Sequence, residues 1–333
     1  MRKPGKTPPF RASDGSVVTD SIAEAAFLTL GGFDQWVLVR GRSIQNPPLI
    51  LLYGGPGLSE TALFRYFNAA LEESFSVVYW DQRGSGKSFY AKPPASSMTL
   101  EQFTADLDEL VEAVRRRVGK QRVAIFGHSW GSVLGVLYAA RFPEKVSAYV
   151  GSGQIGSWPA AESASYAFAL KEAERQNNRK ALRDLRAMGP PPYDSRSLWT
   201  ERTWLQRLER RLTPGALLKL ARVQFAAKES SLLEVFSLFR ALRFSLDVMW
   251  DDISKINLLE LIPALQVPVF FFLGRQDHWV PPETSVEFFD ALEAPSKKLV
   301  WFEESGHEVF MDEPAKFNAA MVEFVLPATT ATG

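Results

Sequence analysis

Residues 49–53 read Leu49-Ile50-Leu51-Leu52-Tyr53, with no alternation between apolar and polar positions. A strand with one face in water alternates; a run like this suits a strand covered on both faces, as in a parallel sheet layered between helices. Runs of the same kind recur at 75–80, 122–126, 146–150, 267–273 and 299–302, and most end in a glycine-containing turn. Residues 25–30 and 35–39, split by Gly31-Gly32, predict an antiparallel pair ahead of them. Helical signals fall between the runs. Thr99, with Gln102 three residues on, predicts an N-cap, and Phe103, Leu107, Leu110, Val111 and Val114 follow at helical spacing until Gly119. Further helices are expected over 131–142, 283–292 and 314–325. Residues 157–255 differ: no strand-like run occurs, and helical periods are broken at Gly189-Pro190-Pro191-Pro192 and Pro214-Gly215. The expectation is an α/β fold with a mostly parallel central sheet. Residues 1–156 and 256–333 form its core, 157–255 form an inserted helical lid, and 1–15 form a flexible arm.

Composition narrows the chemistry. There is no cysteine, so disulfides, thiolate metal sites and a cysteine nucleophile are excluded. Lys+Arg and Asp+Glu are equal at 38 each, which leaves no electrostatic footprint for nucleic acid. The three histidines are His128, His278 and His307, so any catalytic histidine is one of these. The N-terminal residues are basic and proline-rich without a following apolar core, and no run approaches the roughly 20 residues that span a bilayer. A cytoplasmic protein without membrane partners is expected.

Gly127-His128-Ser129-Trp130-Gly131 is G-x-S-x-G between a predicted strand and a predicted helix. Such a turn lifts the serine hydroxyl clear of the sheet, and its glycines remove side chains that would collide. Taken alone the pattern could be a helix start capped by Ser129; the strand–helix context favours a nucleophile. Its proton needs a base, and histidine is the usual one near neutral pH. His128 lies inside the turn and cannot easily reach Ser129. His307 follows the last apolar strand, and Asp277 ends the strand before it, in the order Ser, Asp, His. The turn Gly54-Gly55-Pro56-Gly57 offers the Gly55 amide as an oxyanion donor beside that of Trp130. Gly84-Ser85-Gly86-Lys87-Ser88 imitates a phosphate-binding loop, but Asp81 occupies its first glycine position.

Three motifs together, Tyr53-Gly54-Gly55-Pro56-Gly57, Asp81-Gln82-Arg83-Gly84-Ser85-Gly86-Lys87-Ser88 and Gly127-His128-Ser129-Trp130-Gly131-Ser132, resemble those of the proline iminopeptidases of the α/β-hydrolase superfamily. The likeness continues at Gly274-Arg275-Gln276-Asp277 and Ser305-Gly306-His307. It implies an α/β-hydrolase fold with Ser129 as nucleophile, Asp277 as orienting acid, His307 as base, and Gly55 and Trp130 as oxyanion donors. No metal or organic cofactor is implied. Two positions depart from the family. Tyr53 stands where the family has histidine. The family's Trp-x-x-Trp-Glu segment, whose glutamate helps bind the substrate's free amine, is unmatched: Trp199 and Trp204 are separated by four residues. Substrate-binding candidates are therefore Tyr53, Trp204, Glu201 and Glu209, with Glu234 a further acid to examine. The plain reading of Glu201 and Glu209 is exposed acids on an arginine-rich helix.

The expected activity is cleavage of an amide or ester by acyl transfer, most like release of an N-terminal residue by a proline iminopeptidase. A carboxylesterase or lactonase is the alternative, and a catalytically idle binding protein a more distant one. With the amine-binding glutamate unmatched, weaker selectivity for N-terminal proline and measurable ester hydrolysis are expected. The substrate is a small molecule or short peptide, and the protein a monomer or small homo-oligomer.

Overall fold

A computed structural model describes residues 4–209, 215, 218, 221–223, 229 and 232–330, with the side chains of 232–236 excepted. Pro214 and the Glu234 side chain lie outside the described residues.

Eight strands form one sheet: β1 (Ile22–Leu30), β2 (Phe33–Gly41), β3 (Pro48–Leu52), β4 (Ser76–Trp80), β5 (Val123–His128), β6 (Val146–Ser152), β7 (Val269–Gly274) and β8 (Lys297–Phe302). Their order is β1-β2-β4-β3-β5-β6-β7-β8. The β1–β2 and β2–β4 pairs are antiparallel; every pair from β4 to β8 is parallel.

The unbroken apolar runs have the predicted cause. Along β3, Ile50 and Leu52 join one core layer with Val78, Ile125 and the helix residues Phe103, Leu107 and Val133. Leu49 and Leu51 face the opposite layer with Val77, Phe126, Phe64 and Phe317. Alternate side chains point to opposite faces, and both faces are buried.

The helices around the sheet are α1 (Thr61–Phe67), α2 (Leu100–Val118) and α3 (Trp130–Arg141). Thr99 caps α2, its hydroxyl accepting from the Gln102 amide at 3.2 Å, and Gly119 ends the helix in a left-handed conformation. Between β6 and β7 no described residue is in a strand of the sheet. That segment holds α4 (Trp158–Arg175), α5 (Arg179–Met188), α6 (Ser195–Glu209) and α7 (Leu232–Ile253). Tyr166, Ala169, Leu185, Trp204 and Leu205 of α4, α5 and α6 share a small core of their own. Helices α8 (Pro282–Ala291), α9 (Val309–Asp312) and α10 (Pro314–Ala320) follow β7 and β8.

Part of the N-terminal arm is in contact with the core. Residues 4–10 reach β2 through Pro4, Thr7, Pro8 and Phe10. Trp36 and Arg40 are buried on that strand and need acceptors; Trp36 Nε1 donates to the Pro4 carbonyl and an Arg40 Nη to the Pro8 carbonyl, each at 2.7 Å.

No helix among the described residues is long and apolar enough to cross a membrane.

Candidate active site

Strand β5 runs straight into α3 with only Ser129 between them, and Ser129 is held at φ 53°, ψ −120°. A side-chain-bearing residue rarely takes this backbone conformation, and the surroundings must compensate its strain. Close packing does so. A Cβ on Gly131 would lie 2.2 Å from the Leu52 carbonyl, and one on Gly127 would lie 2.5 Å from the Gly131 carbonyl. The two glycines let α3 descend onto β3 and β5 and leave Ser129 on the crest of the turn. The Ser129 amide donates to the Ser152 carbonyl at 2.9 Å, which ties the crest to the end of β6.

The loop after β7 presents Asp277. Its Oδ1 accepts from the amides of Trp279 and Val280, each at 2.9 Å, and its Oδ2 lies 2.8 Å from His307 Nδ1. Burial acts to raise the Asp277 pKa, but His307 and the two amides outweigh it and hold the carboxyl below its ordinary range. An ionised carboxylate only accepts, so Nδ1 carries a proton, and in the neutral ring Nε2 is the nitrogen with the lone pair. The His307 ring rests against Gly153, where a Cβ would come within 2.7 Å of Cε1. Residues 152 and 153 thus touch Ser129 on one side and His307 on the other.

Gly55 and Trp130 present backbone amides near this turn. Among the described residues neither amide meets a hydrogen-bond acceptor. The Trp130 indole is buried against Phe103 and donates from Nε1 to Gln82 Oε1 at 3.1 Å, so the side chain anchors the start of α3. The rest of the loop after β4 is structural. Arg83 pairs with Asp106 at 2.8 Å in the core, and the Lys87 ammonium stands 3.8 Å over the Trp36 ring. This removes any phosphate-binding reading of that loop.

Three substrate-binding candidates change position. Tyr53 is fully buried, stacked near Phe64, with its hydroxyl 2.9 Å from that of Thr61; burial drives its pKa well above the ordinary value. It is a core residue, because the period of two continues the inner layer of β3 by one step. Trp204 belongs to the small core of α4 to α6, with Arg207 over its ring. Glu201 is fully buried instead of exposed. Glu209 is half-buried at the end of α6.

The cluster around Glu201 is the part missed from sequence. Arg202 donates from Nη1 to Glu201 Oε2 at 2.7 Å and from Nη2 to Glu162 Oε1. Ser165 donates to Glu201 Oε1 and Tyr193 to Glu162 Oε2, each at 2.7 Å. Two carboxylates thus face one guanidinium. Burial and the neighbouring Glu201 raise the Glu162 pKa against the pull of Arg202. The Arg202 guanidinium lies 5.5 Å from the centroid of Trp279, whose ring stacks on His307 at 5.6 Å and 21°. One indole separates the Arg202 guanidinium from His307. A signal was present: Trp158, Ala161, Tyr166 and Ala169 mark the buried stripe of α4, and Glu162 and Ser165 interrupt it.

His278 stacks on Phe168 at 3.6 Å. No group of three or more acids and histidines among the described residues could hold a metal ion.

The sheet, the strained serine turn and the Asp277–His307 pair define a class of hydrolase. The α/β-hydrolase fold family matches residues 47–314, and the chain belongs to that family. The chain is 31% identical over 307 residues to a probable aminopeptidase, YbaC, of Bacillus subtilis, covering 89% of this chain and 94% of that protein. Part of the chain is also similar to a proline iminopeptidase of Clostridioides difficile, 30% identical over 135 residues, covering 39% of this chain and 43% of that protein. The solved structure of a proline iminopeptidase of Mycobacterium smegmatis superposes with a TM-score of 0.65 at 21% identity, covering 93% of this chain and all of that one. The esterase RhEst1 of Rhodococcus sp. ECU1013 superposes at 0.60 and 19% identity, covering 92% and 98%. The two structural likenesses speak to fold alone; the protein is a hydrolase by family.

Proposed function

We propose that this hydrolase is a serine aminopeptidase that releases an N-terminal residue, proline or a small relative, from short peptides or amides. Ser129 attacks the carbonyl as His307 Nε2 takes its proton. Asp277 holds the imidazole in the required tautomer and stabilises the imidazolium that forms. The Gly55 and Trp130 amides receive the oxyanion, the amine departs with the proton from His307, and water releases the acyl group by the same steps. Helices α4 to α7 act as the lid over this site.

The observation that carries the peptidase reading is the buried pair Glu162 and Glu201 facing Arg202, the one cation paired with them among the described residues. One negative charge is left over in a buried place, which costs several kcal/mol unless a proton or a cation answers it. A substrate ammonium beside Trp279 supplies that cation at the distance of one ring from His307. The experiment compares a proline amide with its N-acetylated form. The free amine is expected to be strongly preferred; equal turnover of both overturns the peptidase reading.

A second reading has its own observation. Arg202 already bonds to both acids, and the surface it offers toward His307 is the Trp279 indole. An uncharged ester would suit that surface. Faster turnover of short aryl esters than of any free-amine amide would select it.

A further inference from the structure

His128 occupies the second position of the serine turn, where it is buried and has no part in the chemistry above. Its Nδ1 lies 2.8 Å from Glu60 Oε1, and its Nε2 lies 3.1 Å from the main-chain carbonyl of His307. A carbonyl only accepts, so Nε2 carries a proton. A proton must also lie between Nδ1 and the carboxyl. Imidazole is the stronger base of the two by its ordinary value, which puts that proton on the ring. His128 is then an imidazolium with Glu60 as its counter-ion. Its ring centroid stands 4.8 Å from that of His307, and Phe310 packs edge-on against the ring at 5.1 Å.

The charged groups around the two rings are few. Glu60 faces His128 from the segment before α1. Glu308 follows His307, and both histidines act on its carboxyl. Asp312 and Asp277 also act on Glu308, and Asp277 occupies the far nitrogen of His307. Arg202 lies beyond Trp279. Of the cations here, His128 is the one whose ring packs on His307.

We propose that His128, held charged by Glu60, is a positioning residue for the reaction: it clamps the backbone of the loop that carries His307 and sets a positive charge against the His307 ring. The clamp fixes where the base stands. The charge opposes protonation of the base and extends activity toward acid. The burial of His128 disfavours its charged form, but Glu60 prevails and raises its pKa to about 9, consistent with a ring charged at neutral pH. The proposal rests on His307 being the base.

Two measurements test it. Ring-nitrogen NMR of histidine-labelled protein, with His278→Gln used for assignment, reports the protonation of His128 without any activity. Both nitrogens protonated at neutral pH are expected; an unprotonated Nδ1 or Nε2 overturns the proposal, whatever the variants do. The second measurement is the pH–rate profile of Glu60→Gln. The carboxamide of that variant can donate to Nδ1 of a neutral His128, so the clamp to His307 survives while the charge is lost. The acidic limb is expected to move up by about one pH unit, and Glu60→Asp to bring it back toward wild type. A folded Glu60→Gln protein with an unmoved limb overturns the charge role. If that variant does not fold, the ring-nitrogen spectrum of the wild type decides. Ser129→Ala serves as the control for the underlying reading: turnover surviving in it sinks the triad, and leaves the NMR result on His128 standing by itself.

Discussion

The guanidinium of Arg202 stands over the indole of Trp279, 5.5 Å from its centroid, and this contact joins the helices after β6 to the loop that carries Asp277. Trp279 in turn stacks on His307. The acidic pair behind Arg202 is thus connected to His307 through one aromatic ring.

Substitution in that pair should separate binding from chemistry. Glu162→Gln and Glu201→Gln are each expected to lower kcat/KM for a free-amine substrate by roughly 10- to 100-fold, the worth of a charge-assisted hydrogen bond. Turnover of an uncharged aryl ester should change far less. Arg202→Met leaves two buried carboxylates unanswered and should destabilise the protein by about 3–5 kcal/mol, read from urea unfolding. Equal losses on both substrate types in the glutamine variants would remove the pair from amine recognition.

Ser129→Ala should abolish turnover, and a serine-directed phosphonate should label Ser129 alone. Asp277→Asn keeps the size of the side chain but can donate to His307 Nδ1, favouring the wrong tautomer. A loss on the order of 10⁴ in kcat is expected by analogy with other triads. A loss below roughly tenfold would show that His307 does not depend on Asp277.

The Glu60–His128 pair gives stability a pH dependence of known sign. The folded-state pKa of His128 is raised to about 9 from the ordinary 6.5. The stabilisation is then fully present below about pH 6.5 and is lost as pH rises through about 9. Chemical denaturation of wild type and Glu60→Gln across that window should show the wild-type advantage shrinking as pH rises. An advantage that grows with pH would contradict the charged pair.

Gly131→Ala tests the turn itself. The added methyl would sit 2.2 Å from the Leu52 carbonyl, a backbone atom that cannot swing aside. A destabilisation of more than about 3 kcal/mol, or loss of the folded protein, is expected from calorimetry or expression. An alanine variant as stable as the wild type would mean that α3 can retreat from β3.

The sheet was legible because its cause is local. A strand buried on both faces must be apolar at successive positions, and residues 49–53 show this without reference to anything else in the chain. The serine turn was legible for a similar reason: Gly127 and Gly131 are demanded by contacts within one strand–helix unit and the strand beside it. The cap at Thr99 and the stop at Gly119 are likewise decided within a few residues. Tertiary structure alone decided the rest. Glu201 reads as an exposed acid until α4 brings Glu162 and Ser165 against it and Arg202 turns inward. Tyr53 looks like a site residue until the sheet turns its ring into the core. Glu60 and His128 are 68 positions apart, and no short-range pattern announces their bond. A buried charge is stable only with its partner, and that partner is chosen by the packing of distant elements, so its identity appears only when the chain is folded.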